Sequence, residues 1–207
     1  VLDICQQLAN SAGAYLVTDL DGKFKLVQLK APITTTPDYS VGLSDMEEKT
    51  LTISDKLDVE GSVKLAYCKN WTVQSSGNAG GLPVSTTELL AREHFYVVKK
   101  DQTVLNNYVQ VGEPVQKDTL LISNTATSID GMPVLQADTE AQRLLDLKKV
   151  PRFIYTATYF AHMLPVELGQ TIKITHPRFG LSAGKTGMVV QVDKDWLNGR
   201  VTIGVFI

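Results

Sequence analysis

The chain has 207 residues, 43% of them hydrophobic and 20% charged, a composition that supplies a core and excludes the low-hydrophobicity, high-charge class of disordered chains. Its 20 Lys and Arg against 22 Asp and Glu give a formal net charge of -2 without a basic cluster, which excludes the electrostatic footprint of nucleic-acid binders. No run approaches the ~18 uninterrupted apolar residues of a membrane-spanning helix, and the N-terminus lacks the succession of a signal peptide, so a soluble, unexported chain is expected.

Val1, Ile4, Cys5, Leu8 and Ala12 repeat at helical spacing, and Gly13 can close that helix as a left-handed cap. The pattern already includes the first residue, which predicts a piece of a longer polypeptide. Tyr15 and Val17, a turn at Asp21-Gly22, then Phe24 and Leu26 read as a β-hairpin. Residues 30–45 carry two prolines and little periodicity and are expected to be an exposed connection.

From Val59 to Val73 apolar and polar residues alternate, with Val63, Leu65, Tyr67 and Trp71 on one parity, the pattern of a half-buried strand. The segment 75–83 is a loop by composition. Ser85 with Glu88 and Thr139 with Gln142 are spaced as capping boxes and predict two helices, the second over about 138–149. Between 102 and 133 only scattered strands are expected. Cys5 and Cys68 lie inside apolar patterns and are expected in the core, reduced.

After Pro151 the parity rule governs: Phe153, Tyr155, Ala157, Tyr159 and Ala161 share one face, and Ile172 and Ile174 repeat the pattern. A two-residue Asn198-Gly199 turn would place Trp196 opposite Val201, Lys194 opposite Ile203, Val192 opposite Val205 and Val190 opposite Ile207. The fold class predicted is α+β, predominantly β. Segment 1–53 is an incomplete α+β element, 54–150 is β-rich with short helices, and 151–207 is a small antiparallel β-barrel or sandwich.

Residues with chemistry are sparse. Gly180 to Thr186 (GLSAGKT) looks like a phosphate-binding loop, but it has three residues between its glycines instead of four and is followed by a strand pattern. His94, His162 and His176 stand in no metal-ligand spacing, and Asn70-Trp71-Thr72 reads as part of the strand despite matching a glycosylation sequon. No catalytic, cofactor-binding or metal-binding residue is assigned. The candidate interface is Arg178, Phe179 and Leu181, on a loop between strands. Exposed, they would suit a protein partner; tucked inward, Phe179 and Leu181 would cap the barrel.

The order of segments LDICQQLANSAGAYLVTDLDGKFKL, VKLAYCKNWTVQ, TEAQRLLDL, LPVELGQTIKITHPRFGL and WLNGRVTIGV resembles phage and prophage tail-hub proteins, the group that includes baseplate hubs and tail-tip host-specificity proteins. The resemblance implies an α+β element joined to a small barrel, a homotrimer closing the end of the tail tube, and tail-tube, fibre and tail-tip proteins as partners. It implies a virion tail location after synthesis in the bacterial cytoplasm, and no catalytic residues. Two other readings stay open. A carbohydrate- or receptor-binding module needs Trp71, Trp196 or Tyr159 exposed, against their apolar parity. A tail-associated hydrolase or peptidase needs His162 or His176 to converge with a Cys, Ser or carboxylate.

Overall fold

A computed structural model describes every residue except 1, 12, 32–35, 55–56, 76–80, 109–114, 120–124 and 128–132. In chain order, Leu2–Ser11 is helix α1, Ala14–Thr18 and Phe24–Gln28 are strands β1 and β2, Tyr39–Val41 is β3 and Thr52–Ile53 is β4. Ser62–Tyr67 is β5, Val84–Ala91 α2, Phe95–Lys100 β6 and Gln102–Asn107 α3. Val115–Asp118, Thr125–Thr127 and Pro133–Leu135 are β7, β8 and β9, followed directly by α4 at Gln136–Lys148. Ile154–Phe160, Thr171–Ile174, Lys185–Asp195 and Arg200–Phe206 are β10 to β13. The fold is α+β and predominantly β. Among the described residues no helix is long and apolar enough to cross a membrane.

The chain groups into two units, Val1–Ala12 with Glu60–Lys149 and Gly13–Val59 with Val150–Ile207. In the first, β5 is the centre of a three-stranded sheet, antiparallel to β6 and parallel to β7. Ala137 and Ala141, one helical turn apart, let α4 approach this sheet closely, and they enclose Leu65 with Tyr67, Val97 and Leu144 around them. The Lys148–Glu60 ion pair and a Lys99–Asp138 contact of 3.2 Å tie the rim of α4 to the β5 and β6 side.

Several expectations for this unit are corrected. β5 stops at Tyr67 because Cys68 takes a left-handed backbone, φ +51°, which breaks the pleat, so the alternation out to Val73 is not a strand. Trp71 consequently lies in a loop at 75% exposure. Asn70, which bonds to the Leu90 and Glu93 carbonyls, anchors that loop. Pro83 occupies the N-cap of α2, and α4 begins at Gln136, so neither Ser85 nor Thr139 caps a helix. A helix absent from the sequence reading, α3, is capped by Asp101, which accepts from Thr103 and Val104 amides at 3.1 and 3.3 Å. α1 and its Gly13 terminator, φ +66°, are present. Its Leu2, Ile4, Cys5 and Leu8 are exposed, however, and Cys68 is half-buried, so neither thiol is a core residue.

In the second unit β1 and β2 pair around Gly22, φ +77°, with the Asp19 carboxylate accepting the Lys23 amide at 2.8 Å. The main sheet has six strands in the order β3-β11-β12-β13-β10-β4. Only the β3–β11 pair is parallel. β3 and β4 are not paired to each other, so the expected barrel is not closed; the four strands of 151–207 are extended at both ends by strands from residues 39–53. Val41 in β3 is buried, which corrects the reading of 30–45 as a mere connection.

The predicted parity is seen in β10, where Tyr155, Ala157 and Tyr159 are buried and their neighbours are half-exposed. Together with Ile172, Ile174, Leu181, Val189, Val201, Ile203 and Val205 they form the core. The register of the last hairpin differs from expectation by two residues: Asp195 pairs with Arg200, Lys194 with Val201 and Val192 with Ile203, and a bulge follows between Val189 and Gln191. Asp195 sets this register. Its carboxylate accepts from the Asn198 amide at 3.1 Å and from Asn198 Nδ2 at 2.6 Å, which makes the loop four residues long, Trp196 to Gly199.

Candidate interaction surface

β11 ends at Ile174, and the chain then folds back on itself before β12. The His176 amide donates to the Leu181 carbonyl at 3.2 Å, and the Leu181 amide donates to the Arg178 carbonyl at 3.2 Å. The two residues inside that turn, Phe179 and Gly180, have φ of +58° and +69°, the positive pair that a type I′ turn requires. Glycine meets that demand freely. For phenylalanine it costs about 1–2 kcal/mol.

The three candidate residues are placed differently. Leu181 is fully buried, at 0% exposure, and belongs to the core, so it cannot contact a partner. Phe179 is 42% exposed, and Arg178 beside it is also exposed. The Tyr155 hydroxyl donates to the Phe179 carbonyl at 3.3 Å, and the Arg178 amide donates to His176 Nδ1 at 3.1 Å. The loop therefore has a buried plug and an outward pair, and the strained backbone at Phe179 holds an aromatic ring toward solvent.

A cavity of about 430 Å³ opens beside this pair. Its floor is apolar, with Met46 and Leu51 buried and Leu43 at the edge, and its rim carries Glu47, Lys49, His176 and Arg178. Lys49, on this rim, is like Phe179 and Cys68 a non-glycine residue with positive φ, +67°. Glu47 also lines a polar cavity of about 450 Å³ that reaches Asp193, Asp195 and Asn198 at the tip end of the β12–β13 hairpin.

No reactive constellation emerges among the described residues. His162 Nε2 lies 3.3 Å from Asp45, His94 is buried against Tyr96, and His176 accepts the Arg178 amide, so each histidine has its own neighbour. No group of three His, Cys, Asp or Glu among those residues is placed to hold a metal. Gly180 to Gly184 is a turn, and Lys185 opens β12, so no helix stands where a phosphate loop would need one.

The sequence reading missed the tip of the last hairpin. Trp196 and Leu197 are 64% and 94% exposed, although parity placed Trp196 on the apolar face. The signal available was Asp195 three residues before Asn198, an Asx pattern that favours a longer loop.

No family model matches the sequence, and no curated protein does. The fold is shared with a chain of the virion of a native gene transfer agent particle, with TM-score 0.58 and 14% identity over 98% of this chain and 37% of that one. A tail protein from Neisseria meningitidis MC58 and the 43 kDa tail protein of prophage MuSo2 from Shewanella oneidensis align at TM-score 0.48 with 13% and 14% identity. This chain spans 54% and 52% of their lengths.

Proposed function

We propose that this chain is a non-enzymatic structural part of a phage or prophage tail, of the hub or tail-tip type, acting in assembly and closure of the tail end. The observation that carries the reading is the shared fold, over 98% of the chain, with a protein of a gene transfer agent virion. The order of its segments, which resembles that of tail-hub proteins, supports it. In the full particle the protein forms a homotrimer against tail-tube, fibre and tail-tip components, with the Arg178–Phe179 face as one contact. Made in the bacterial cytoplasm, it resides in the virion tail.

The test is direct. Particles purified from the bacterium carrying the gene should contain the chain in trimeric stoichiometry by mass spectrometry, and deletion of the gene should leave tails that do not complete. Complete, infective particles without the chain would overturn the reading.

A carbohydrate-binding role is the second reading, favoured by the exposure of Trp71 and Trp196, since sugar rings stack on exposed indoles. Neither indole lines the two cavities described above. Quenching of tryptophan fluorescence by oligosaccharides at millimolar concentration would favour it over assembly.

A further inference from the structure

The tip of the β12–β13 hairpin is an apolar knob on a rigid stem. Leu197 is nearly fully exposed and Trp196 two-thirds exposed, yet the loop that carries them is held by both oxygens of Asp195 on Asn198 and closed by Gly199 at φ +60°. An exposed Trp-Leu pair in a fixed conformation loses little entropy when it is buried, and tryptophan is among the residues that dominate binding energy. The cavity floored by Met46 and Leu51 has the complementary form, about 430 Å³ of mostly apolar space.

The charges match as well. At the cavity rim Glu47 lies 3.8 Å from Arg200 and Glu48 lies 3.8 Å from Lys49, which leaves Arg178 without an ion-pair partner among the described residues. At the stem of the tip Asp193 and Asp195 are exposed carboxylates, and among the described residues neither has an ion-pair partner. Knob and cavity lie in the same unit and are joined through the Glu47–Arg200 contact, so one molecule can give its tip and receive another at adjoining surfaces.

Building on the assembly reading, we propose that the occupant of the Arg178–Phe179 face is a second copy of this chain. That copy seats Trp196 and Leu197 in the cavity over Met46 and Leu51 and brings Asp193 and Asp195 against Arg178. Each copy acts as donor and acceptor, the condition for a closed assembly of identical chains.

Sedimentation equilibrium of the 207-residue chain from about 1 µM to about 1 mM, a range that spans specific association, tests this. The wild type should self-associate. Leu197→Asp, at a position with no packing to lose, should weaken association at least about tenfold, and Arg178→Glu or Asp193→Arg alone should do the same. The double variant Arg178→Glu with Asp193→Arg should regain it, because the reversed charges meet across copies. Circular dichroism of each variant establishes that the fold is kept.

A wild type that stays monomeric throughout the range overturns the proposal. So does an association that Leu197→Asp leaves unchanged or that the charge swap does not restore. In either case the chain can still be found in purified particles, with a different protein on this face, so the tail reading stands or falls on its own test.

Discussion

Glu167 and Lys25, 142 positions apart in the chain, form an ion pair that fastens the β1–β2 hairpin to the turn before β11. The same carboxylate accepts the Leu20 amide at 3.0 Å. Val27 packs against Gly169, whose φ is +88° and where a Cβ would meet Val27 Cγ1 at 2.8 Å. An isolated two-stranded hairpin is marginal in water, so these few contacts decide whether it is held.

Glu167→Ala should therefore loosen the hairpin selectively. The expected cost is about 1–2 kcal/mol, reduced from that of a buried charged hydrogen bond by partial solvent screening. Amide exchange should accelerate in β1 and β2 while β10 and β13 keep their protection; uniform exchange across the unit would contradict the assignment.

Acid should destabilise the second unit through three carboxylates. Asp38 is held below its ordinary 3.8 by the Thr171 amide and hydroxyl. Glu167 is held below its ordinary 4.5 by Lys25 and the Leu20 amide, and Asp195 below 3.8 by the Asn198 side chain and amide. A lowered folded-state pKa means the unfolded chain binds the proton first. The stabilisation is thus complete above the ordinary values and drains away as pH falls from about 4.5 through the lowered ones. Urea midpoints measured between pH 7 and pH 2 should be flat at first and decline only in that lower window, less steeply in Glu167→Gln.

Gly187 faces the core in β12, and a Cβ there would lie 2.5 Å from the Phe206 carbonyl oxygen. Backbone cannot yield as a flexible side chain does. Gly187→Ala should cost about 1–3 kcal/mol or more, read as a lower melting temperature. Gly180→Ala, with open space around its Cβ position, meets only the left-handed backbone penalty and should cost less.

Two residues of one loop should respond oppositely. Leu181→Ala removes a buried core side chain and should cost about 2–5 kcal/mol. Phe179→Gly relieves a left-handed phenylalanine and loses only a half-exposed ring, so stability should hold or rise slightly. Matched denaturation curves decide it, and a large loss at Phe179 would show that the ring packs more tightly than its exposure indicates.

The Tyr159 hydroxyl is buried and has no hydrogen-bond partner among the described residues, and burial together with the Asp45 charge pushes its pKa well above the ordinary phenol value. Tyr159→Phe should be neutral or stabilising, since it removes an unsatisfied polar group while keeping the ring. A loss above about 1 kcal/mol would mean that a bound water satisfies the hydroxyl.

The alternation of Tyr155, Ala157 and Tyr159, and of Ile172 and Ile174, was legible because each strand buries one face and parity is a local property of the chain. α4 was legible for the same reason at helical period, through Ala141, Leu144 and Leu145. β3 and β4, three and two residues long, are too short to have a period. They exist because Asp38 bonds to Thr171 and the Thr175 amide to the Val41 carbonyl, and because Thr52 and Ile53 pair with β10, contacts more than 100 positions apart.

The sequence by itself determined which residues of the longer strands and of α4 turn inward, hence an α+β fold with most of its core in the C-terminal strands. Only the tertiary structure decided the register of the last hairpin, because a shift of two residues leaves Val192, Lys194, Val201 and Ile203 on their expected faces and leaves the choice to Asp195 and Asn198, while the bulge after Val189 is invisible to parity. It also decided that Leu181 is core, Phe179 is surface and Trp196 stands at an exposed tip. Those fates depend on backbone dihedrals and on neighbours distant in the chain, which neither composition nor periodicity encodes.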